Sequence, residues 1–569
     1  MHYARHHKLR YSTLITALGL GLSTLAAHAQ AVPDIGEALR QSRPAAPPTV
    51  PQPALPAIGG APTEPPMAAL PGGSATVQVN EIAVVGNRVI DSATLLSLVQ
   101  PDQGKALSLA QLDEIATRIT RYYRAQGYFV TRAYVPAQEL VGGKVTLRVV
   151  EGNYGRFILD NKSLVRDSVV QGLLDDIKDS DIVSLDTLER AMLIINDTPG
   201  VQVVSADVMP GQKVGTSDFA VGTAATAPYN GYVLLDNHGS VYTGKERLSF
   251  SADWNSPSGR GDRLSASGMV TRSSGLLNGR LGYSSLVAPN GTRAEVALSR
   301  TQYELGDIYA ALGATGTASS VELNLTTPLK RTREQSVEGG LGAAYRDLKD
   351  EVGATSTVTG KKTTSLNASV SARTEHRLFG FDGLTQAGAV VTLGQLRFGD
   401  SASAALDAAG ANTQGHYAKL NLSLVRATLL PAQFSLTTSA KAQWSLNRKN
   451  LDGSERMSVS GVGGVSAYPS GELSGDNAAL VRAELARPVP LSGAVRLSAS
   501  VFADYGWAKA ARPLAGAGGR KLGDVGVGLA ANMAGGLLKL QLAHRVSGGE
   551  PTSEAAARTR VLLQGGWVF

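Results

Sequence analysis

There is no cysteine among the 569 residues. That excludes a disulfide framework, a thiolate metal site and a cysteine nucleophile together. It suits a chain that passes through an oxidising space, where stray thiols are a liability. Histidine is scarce too. Three of the eight (His2, His6, His7) lie at the extreme N-terminus, and no H-x-x-x-H pair falls on a later helix, so metal chemistry has no ligand set to stand on. Neither a G-x-x-x-x-G-K-[ST] phosphate loop nor a G-x-S-x-G nucleophile elbow occurs. The net charge of +7 is spread thinly, with no run of five basic residues, which argues against a nucleic-acid partner. No cofactor and no catalysis are expected, and an enzyme built from scattered Ser, His and Asp residues stands only as an alternative.

Past the N-terminus, the chain also lacks any stretch of about 20 apolar residues able to span a bilayer as a helix. At the N-terminus itself, Arg5, Lys8 and Arg10 precede an uncharged stretch from Tyr11 to Leu25, followed by Ala27-His28-Ala29. A basic start, a short apolar core and a small-x-small site predict a secretory signal peptide over residues 1–29, with Gln30 as the first mature residue. An exported chain without spanning helices can cross a membrane only with strands.

What remains is organised in blocks. "PDIGEALRQ" (Pro33 to Gln41) predicts a short helix within residues 30–42, with Asp34 near its start. Residues 43–75 are dominated by proline, alanine and glycine; they cannot build a core and predict an extended, semi-rigid linker. Residues 76–152 predict a β-α-α-β-β unit. Its strands are "VQVNEIAVV", "YFVTRAYV" and "KVTLRVVEG", and its helices run from Asp91 to Leu98 and from Leu109 to Gln126. Ser108 and Gln111 have capping-box spacing, and Leu112, Ile115, Ile119 and Tyr122 or Tyr123 form one face. Residues 153–226 repeat that order, with helices from Arg166 to Leu174 and from Leu185 to Asn196. An exposed sheet edge in such a module can take up an extended peptide as an added strand; the plain alternative is a pair of rigid spacers.

From residue 227 to 569 short strands alternate strictly. In "RLSFSADW", Leu248, Phe250, Ala252 and Trp254 share one face, and Ser249, Ser251 and Asp253 the other. Alternation alone also fits a soluble sandwich. The export signal and the richly polar second face favour a closed transmembrane barrel, the only sheet that satisfies its backbone in lipid. At about 10 residues per strand plus loops, the segment accommodates roughly 16 antiparallel strands around a polar lumen. The last strand, "VLLQGGWVF", places Trp567 and Phe569 on one face and ends on an aromatic residue.

This arrangement resembles the two-partner secretion transporters, the TpsB or haemolysin secretion-activation family. The two modules are similar to POTRA domains, through "GYFVTRAYVPAQEL", "VVEGNYG" and "DTPGVQVVSADVMPGQKVGTSDF". "NGYVLLDNHGSVYTG" is similar to the segment with which that family begins its barrel. The resemblance implies that a long extracellular loop folds back into the lumen with a V-R-G-Y/F or V-R-A-Y-P tip. Here that tip corresponds to Val465, Ser466, Ala467, Tyr468 and Pro469. The family's inner-wall motif, F-x-D-x-G, corresponds to Phe502, Asp504 and Gly506. In the family the tip arginine meets that aspartate, but this chain has Ser466 there, so either a weaker hydrogen bond or another cation such as Arg456 or Arg482 takes its place.

The resemblance further implies that the helix at residues 30–42 plugs the pore. It implies an outer-membrane location with POTRA domains in the periplasm, contact with outer-membrane lipids, and handling by the barrel-assembly machinery, which reads Trp567 and Phe569. The expected cargo is a large TpsA-type exoprotein (an adhesin, a haemolysin or a contact-dependent toxin), captured in the periplasm and exported unfolded, with activation of the cargo left open. A barrel-assembly factor of the same superfamily and a passive porin remain as rival readings.

Overall fold

The computed structural model describes residues 32–42, 55–60 and 76–569, apart from 181, 274, 492 and 514–517. The signal peptide and most of the linker lie outside the described residues. Helix α1 (Ile35–Gln41) comes first, followed by a short strand, β1 (Ile58–Gly59). The first module holds β2 (Thr76–Gln78), β3 (Glu81–Val85), α2 (Ser92–Val99), β4 (Ala106–Ser108), α3 (Leu109–Ala125), β5 (Arg132–Tyr134) and β6 (Lys144–Val150). Its main sheet runs β3-β6-β5. The capping box forms at α3: Gln111 N–H donates to Ser108 Oγ at 3.3 Å, and Ser108 N–H to Gln111 Oε1 at 2.8 Å. Leu112, Ile115, Ile119 and Tyr123 are buried, so Tyr123 and not Tyr122 closes that face.

"YFVTRAYV" forms a strand only over Arg132–Tyr134. The helix exit continues as a turn, with Tyr128 N–H on Tyr123 O and Thr131 N–H on Tyr128 O, and those bonds withhold residues 128–131 from the sheet. Buried Glu151 fixes the end of the module by accepting from Arg88 N–H, Val89 N–H and Tyr123 Oη at 2.7, 2.9 and 2.9 Å.

The second module contains β7 (Asn153–Lys162), α4 (Asp167–Asp175), α5 (Leu185–Asn196), β8 (Gln202–Pro210) and β9 (Thr216–Ala224). Its sheet runs β1-β8-β9-β7. One stretch of the expected linker is therefore a strand: Ile58 and Gly59 pair in parallel with Ala206 and Asp207, and Leu55 packs into this module's core. The proline-rich chain forms structure there because a ready-made sheet edge supplies the partners that it cannot supply itself.

The barrel begins with β10 (Tyr229–Asp236), β11 (Arg247–Asn255), β12 (Arg263–Thr271), β13 (Leu276–Leu286), β14 (Arg293–Glu304) and β15 (Ala314–Arg331). It continues with β16 (Gln335–Val352), β17 (Thr357–Leu378), β18 (Phe381–Phe398), a helix α6 (Ser401–Ala409), β19 (Gly415–Leu429) and β20 (Ser435–Ser445). Two short strands, β21 (Met457–Ser458) and β22 (Ser474–Gly475), pair within one loop. The wall then resumes with β23 (Asn477–Val489), β24 (Arg496–Lys509), β25 (Arg520–Met533), β26 (Gly536–Ser547) and β27 (Thr559–Val568). The result is a closed barrel of 16 antiparallel strands. Its hydrophobic pattern is inverted relative to a soluble protein, since Leu248, Phe250 and Trp254 are exposed on the outside. That is the sense required of a wall facing lipid. Gly231 and Phe569 exchange backbone hydrogen bonds of 2.9 and 3.0 Å where β10 meets β27. The Asn237 side chain extends this seam by donating to Val561 O at 3.0 Å and accepting from Leu563 N–H at 2.9 Å.

The second module sits on the turns that follow β11, β13 and β15. Arg166 N–H donates to Gly259 O, and Leu286 packs against the module's core. Arg331 grips Asp197 in a bidentate pair of 2.7 and 2.9 Å, and Arg333 meets Glu189 at 2.7 Å. Hydrogen bonds to charged groups contribute about 1.5–3 kcal/mol when shielded from water. Arg331→Ala should therefore loosen the docking and raise the protease susceptibility of residues 225–228 several-fold. Adding Asp197→Ala should change little more, because both substitutions remove one contact; fully additive effects would show that the pair does not hold the module.

Candidate functional site: a lumenal loop and its anchors

Loop residues 446–476 turn inward between β20 and β23. The segment is too rich in glycine to extend the strands, and it closes on itself through Val465 N–H to Val459 O at 2.9 Å and Tyr468 N–H to Val465 O at 3.1 Å. Val465, Ser466, Ala467, Tyr468 and Pro469 are all buried at the tip. Opposite them on β24, Phe502 and Asp504 are buried on the lumenal face, as period-2 alternation with Gly506 requires. Glycine lets the tip approach closely at 506. A Cβ there would lie 3.0 Å from both Val459 Cβ and Val465 Cγ2, so the tip would have to give by a few tenths of an ångström.

Asp504 accepts from Ser466 Oγ at 3.0 Å. Its counter-charge comes from the wall. Arg482, directly opposite on β23, reaches both carboxylate oxygens at 3.1 and 2.9 Å, and lies over the Phe502 ring at 4.3 Å. Arg482 also touches Ser466 Oγ at 3.3 Å and donates to Glu484 at 3.0 Å. The cation expected at the tip is thus carried by a neighbouring strand. Arg456 is engaged elsewhere, with Asp476 at 3.2 Å.

Further contacts complete the seat. Ala467 N–H donates to Asp524 Oδ2 on β25 at 2.5 Å. Arg560 on β27 donates to the carbonyls of Ser466 and Tyr468. Tyr468 Oη donates to Ser547 O and Gly549 O at 2.7 and 2.8 Å. Glu472 accepts from Thr552 N–H, Ser553 N–H and Ser553 Oγ at 2.9, 2.8 and 2.6 Å, and pairs with Arg520. Asp524, Arg560 and Glu472 were not singled out from the sequence. The lumenal parity of β25 and β27 would have marked the first two, but nothing local shows what reaches them.

The base of the loop carries a second set of charges. Asp452 pairs with Lys361 at 2.9 Å, and Glu455 with Arg346 and Lys419 at 2.7 Å each. Helix α1 lies against this base. Asp34 caps it by accepting from Glu37 N–H at 3.1 Å, Ile35 N–H donates to Asp350 Oδ1 at 2.8 Å, and Arg40 reaches Gly453 O. Gly36 packs directly on the Gly453 backbone, where a Cβ would overlap it. Arg247 and Thr243 bind Gln41 at 3.1 and 3.0 Å. Trp567 and Phe569, by contrast, stand on the outer face, away from this site.

Three loop carboxylates are held below the ordinary carboxylate range. Burial alone would raise each of them. It is outweighed at Asp452 by Lys361 and the Ser454 donors, at Glu455 by Lys419 and Arg346, and at Glu472 by the Ser553 and Thr552 donors with Arg520. A carboxylate whose folded pKa lies below its unfolded value of about 4 stabilises fully above that value and loses its contribution as pH falls through the folded one. Loop docking, followed by limited proteolysis, should hold from neutral pH to about 4 and weaken only below it. Weakening between about pH 5 and 7 would place control in other groups.

The relocated cation gives a second test. Arg482→Ser leaves Asp504 buried without a counter-charge, a change that costs about 3–5 kcal/mol in buried pairs, and should expose the loop to protease. Ser466→Arg in that background should restore protection, whereas in the natural background it should add nothing, because Asp504 is already paired. Failure of the restoration would show that the two positions do not serve one contact.

A family description, haemolysin secretion/activation protein ShlB/FhaC/HecB, matches residues 215–531, and a ShlB-type POTRA domain matches residues 77–152. The heme/hemopexin transporter protein HuxB of Haemophilus influenzae is 28% identical over 424 residues, 74% of each chain. The outer membrane transporter CdiB of Escherichia coli is 25% identical over 454 residues, 75% of this chain and 72% of that one. The solved structure of CdiB from Escherichia coli superposes with a TM-score of 0.71 at 20% identity, covering 99% of this chain and all of that one. CdiB from Acinetobacter baumannii gives 0.63 at 16% identity, covering 98% and 97%.

Proposed function

This chain belongs to the ShlB/FhaC/HecB family of haemolysin secretion/activation proteins, outer-membrane transporters of two-partner secretion, and from that premise we propose that it captures a large exoprotein in the periplasm and exports it unfolded through the barrel. The observation that carries this reading is how the lumen is closed. Two segments occupy it, α1 and the loop 446–476, and each is tied to the wall by polar contacts and ion pairs beside an apolar cluster, around Ile35 and Ala38 for α1 and around Val465 and Tyr468 for the loop. The polar contacts can be exchanged for water as the segments move. A polypeptide needs a wide polar channel, and these two segments are what must move to provide it. The sequence carries no phosphate loop, so folding of the cargo outside the cell is the source of direction.

Capture is assigned to the sheet edges of the two modules. In the second module β1 already occupies the β8 edge, while β5 of the first module, like β3, is an edge without a further strand among the described residues. A soluble fragment of residues 76–225, which lacks β1, should bind the N-terminal domain of the cargo by strand addition. Isothermal calorimetry checks this, and no association at about millimolar concentration, far weaker than useful recognition, would sink it. A fragment beginning at residue 55 should bind more weakly if β8 is the edge used, and equally well if β5 is.

Helix α1 is assigned the role of plug. Deleting residues 31–42 should raise single-channel conductance in planar bilayers and leave secretion largely intact. Unchanged conductance would mean that α1 does not block the conducting path.

A further inference from the structure

Asp524 and Arg545 occupy directly paired positions on β25 and β26, and both are buried on the lumenal face, at 1% and 5% exposure. Arg545 Nε has no hydrogen-bond partner among the described residues, and Asp524 Oδ1 has none apart from a side-chain contact with the neighbouring acid Asp504. Opposite charges at cross-strand positions stand with Cβ atoms about 4.5–5.5 Å apart, well within the reach of an arginine. Yet with the loop docked they do not pair.

The docked tip accounts for this separation. Asp524 gives Oδ2 to Ala467 N–H. On its other side it meets the side chain of Asp504, a second acid, which keeps Arg482 for itself. Arg545 is turned toward the last extracellular loop. Its Nη1 donates to Gly549 O at 3.3 Å and Glu550 at 2.9 Å, its Nη2 donates to Ala556 O at 3.2 Å, and its guanidinium lies 5.8 Å from the Tyr468 ring. Tyr468 Oη holds the same segment through Ser547 O and Gly549 O. One tip therefore occupies the acid and fixes the loop that occupies the base.

We propose that Asp524 and Arg545 are positioning residues that exchange partners: each serves the tip while it is docked, and they pair with one another when it withdraws. The exchange matters because a withdrawn tip would otherwise leave Asp524 as an uncompensated acid beside Asp504. A reserve cation on the next strand lowers the free energy of the released state and brings the two states of the loop closer to balance. Arg482 serves Asp504 in both states, so in the released state each of the two acids has a cation of its own. This inference rests on the proposal that the loop moves during transport.

The absence of cysteine allows a direct test. Ala467, fully buried when docked, is replaced by cysteine in every background, and its labelling by a membrane-impermeant maleimide on intact cells reports the released population. Arg545→Gln should slow labelling about threefold or more, since it weakens the released state. Arg545→Lys, which keeps the charge, should restore most of the rate; it also shows that the position tolerates change without loss of folding. Asp524→Asn should slow labelling in the natural background and have a clearly smaller effect in the Arg545→Gln background. Equal effects of Asp524→Asn in both backgrounds, or faster labelling in Arg545→Gln, would overturn the exchange while leaving loop movement intact. No labelling at all in the natural background would remove the movement, and the exchange with it.

Discussion

In a bilayer every backbone N–H and C=O must find a partner within the protein, and for strands this means a sheet with no edge. The rest of the structure depends on that constraint. It sets 16 strands into a ring, requires β10 and β27 to meet, and turns the apolar residues outward. It also creates the difficulty that the remaining parts address, because a ring of this size surrounds a lumen too wide for its own side chains to fill. In this chain two further segments lie within it.

The occupants are α1 and the loop 446–476, and their chemistry differs from that of the two modules. The modules are held by apolar clusters built on Leu112, Ile115, Ile119 and Tyr123 in the first, and on Phe157, Leu188, Ile195 and Phe219 in the second. The lumenal segments combine apolar clusters, around Ile35 and Ala38 and around Val465 and Tyr468, with many hydrogen bonds and ion pairs. Burial of an aliphatic side chain contributes about 1.5–3 kcal/mol that cannot be recovered from water, whereas a polar contact is largely replaced by solvent when it opens. The division fits the proposal that the modules persist while the lumenal segments move.

The tip shows how one residue change can be absorbed. With serine at 466, the strong partner of Asp504 is Arg482, which is fixed on the wall by Glu484 and the Phe502 ring. The ion pair is thereby separated from the loop's position, and the tip contributes a hydroxyl, a backbone N–H and a tyrosine. Withdrawal of the tip then breaks these neutral donors' bonds and the Arg560 contacts to its carbonyls, and leaves the buried Asp504–Arg482 pair whole.

Much of this was legible in the sequence. Strict alternation gave the strands and the parity of Phe502 and Asp504, and the 3.6-residue pattern with Ser108 and Gln111 gave α3, because these periodicities are local properties of the backbone. The linker was legible only in part: composition says that Ile58 and Gly59 cannot fold alone, but not that β8 lies open beside them. The partners of the tip were legible only in part: Arg482 stood beside Arg456 as a candidate cation with nothing to choose between them, and Asp524, Arg545 and Arg560 were out of reach. The last three are separated from Ser466 by 58 to 94 positions, and which of them meets the tip depends on the register and closure of the whole barrel. Local sequence determined which residues face the lumen, and only the closed tertiary ring decided which of them face each other.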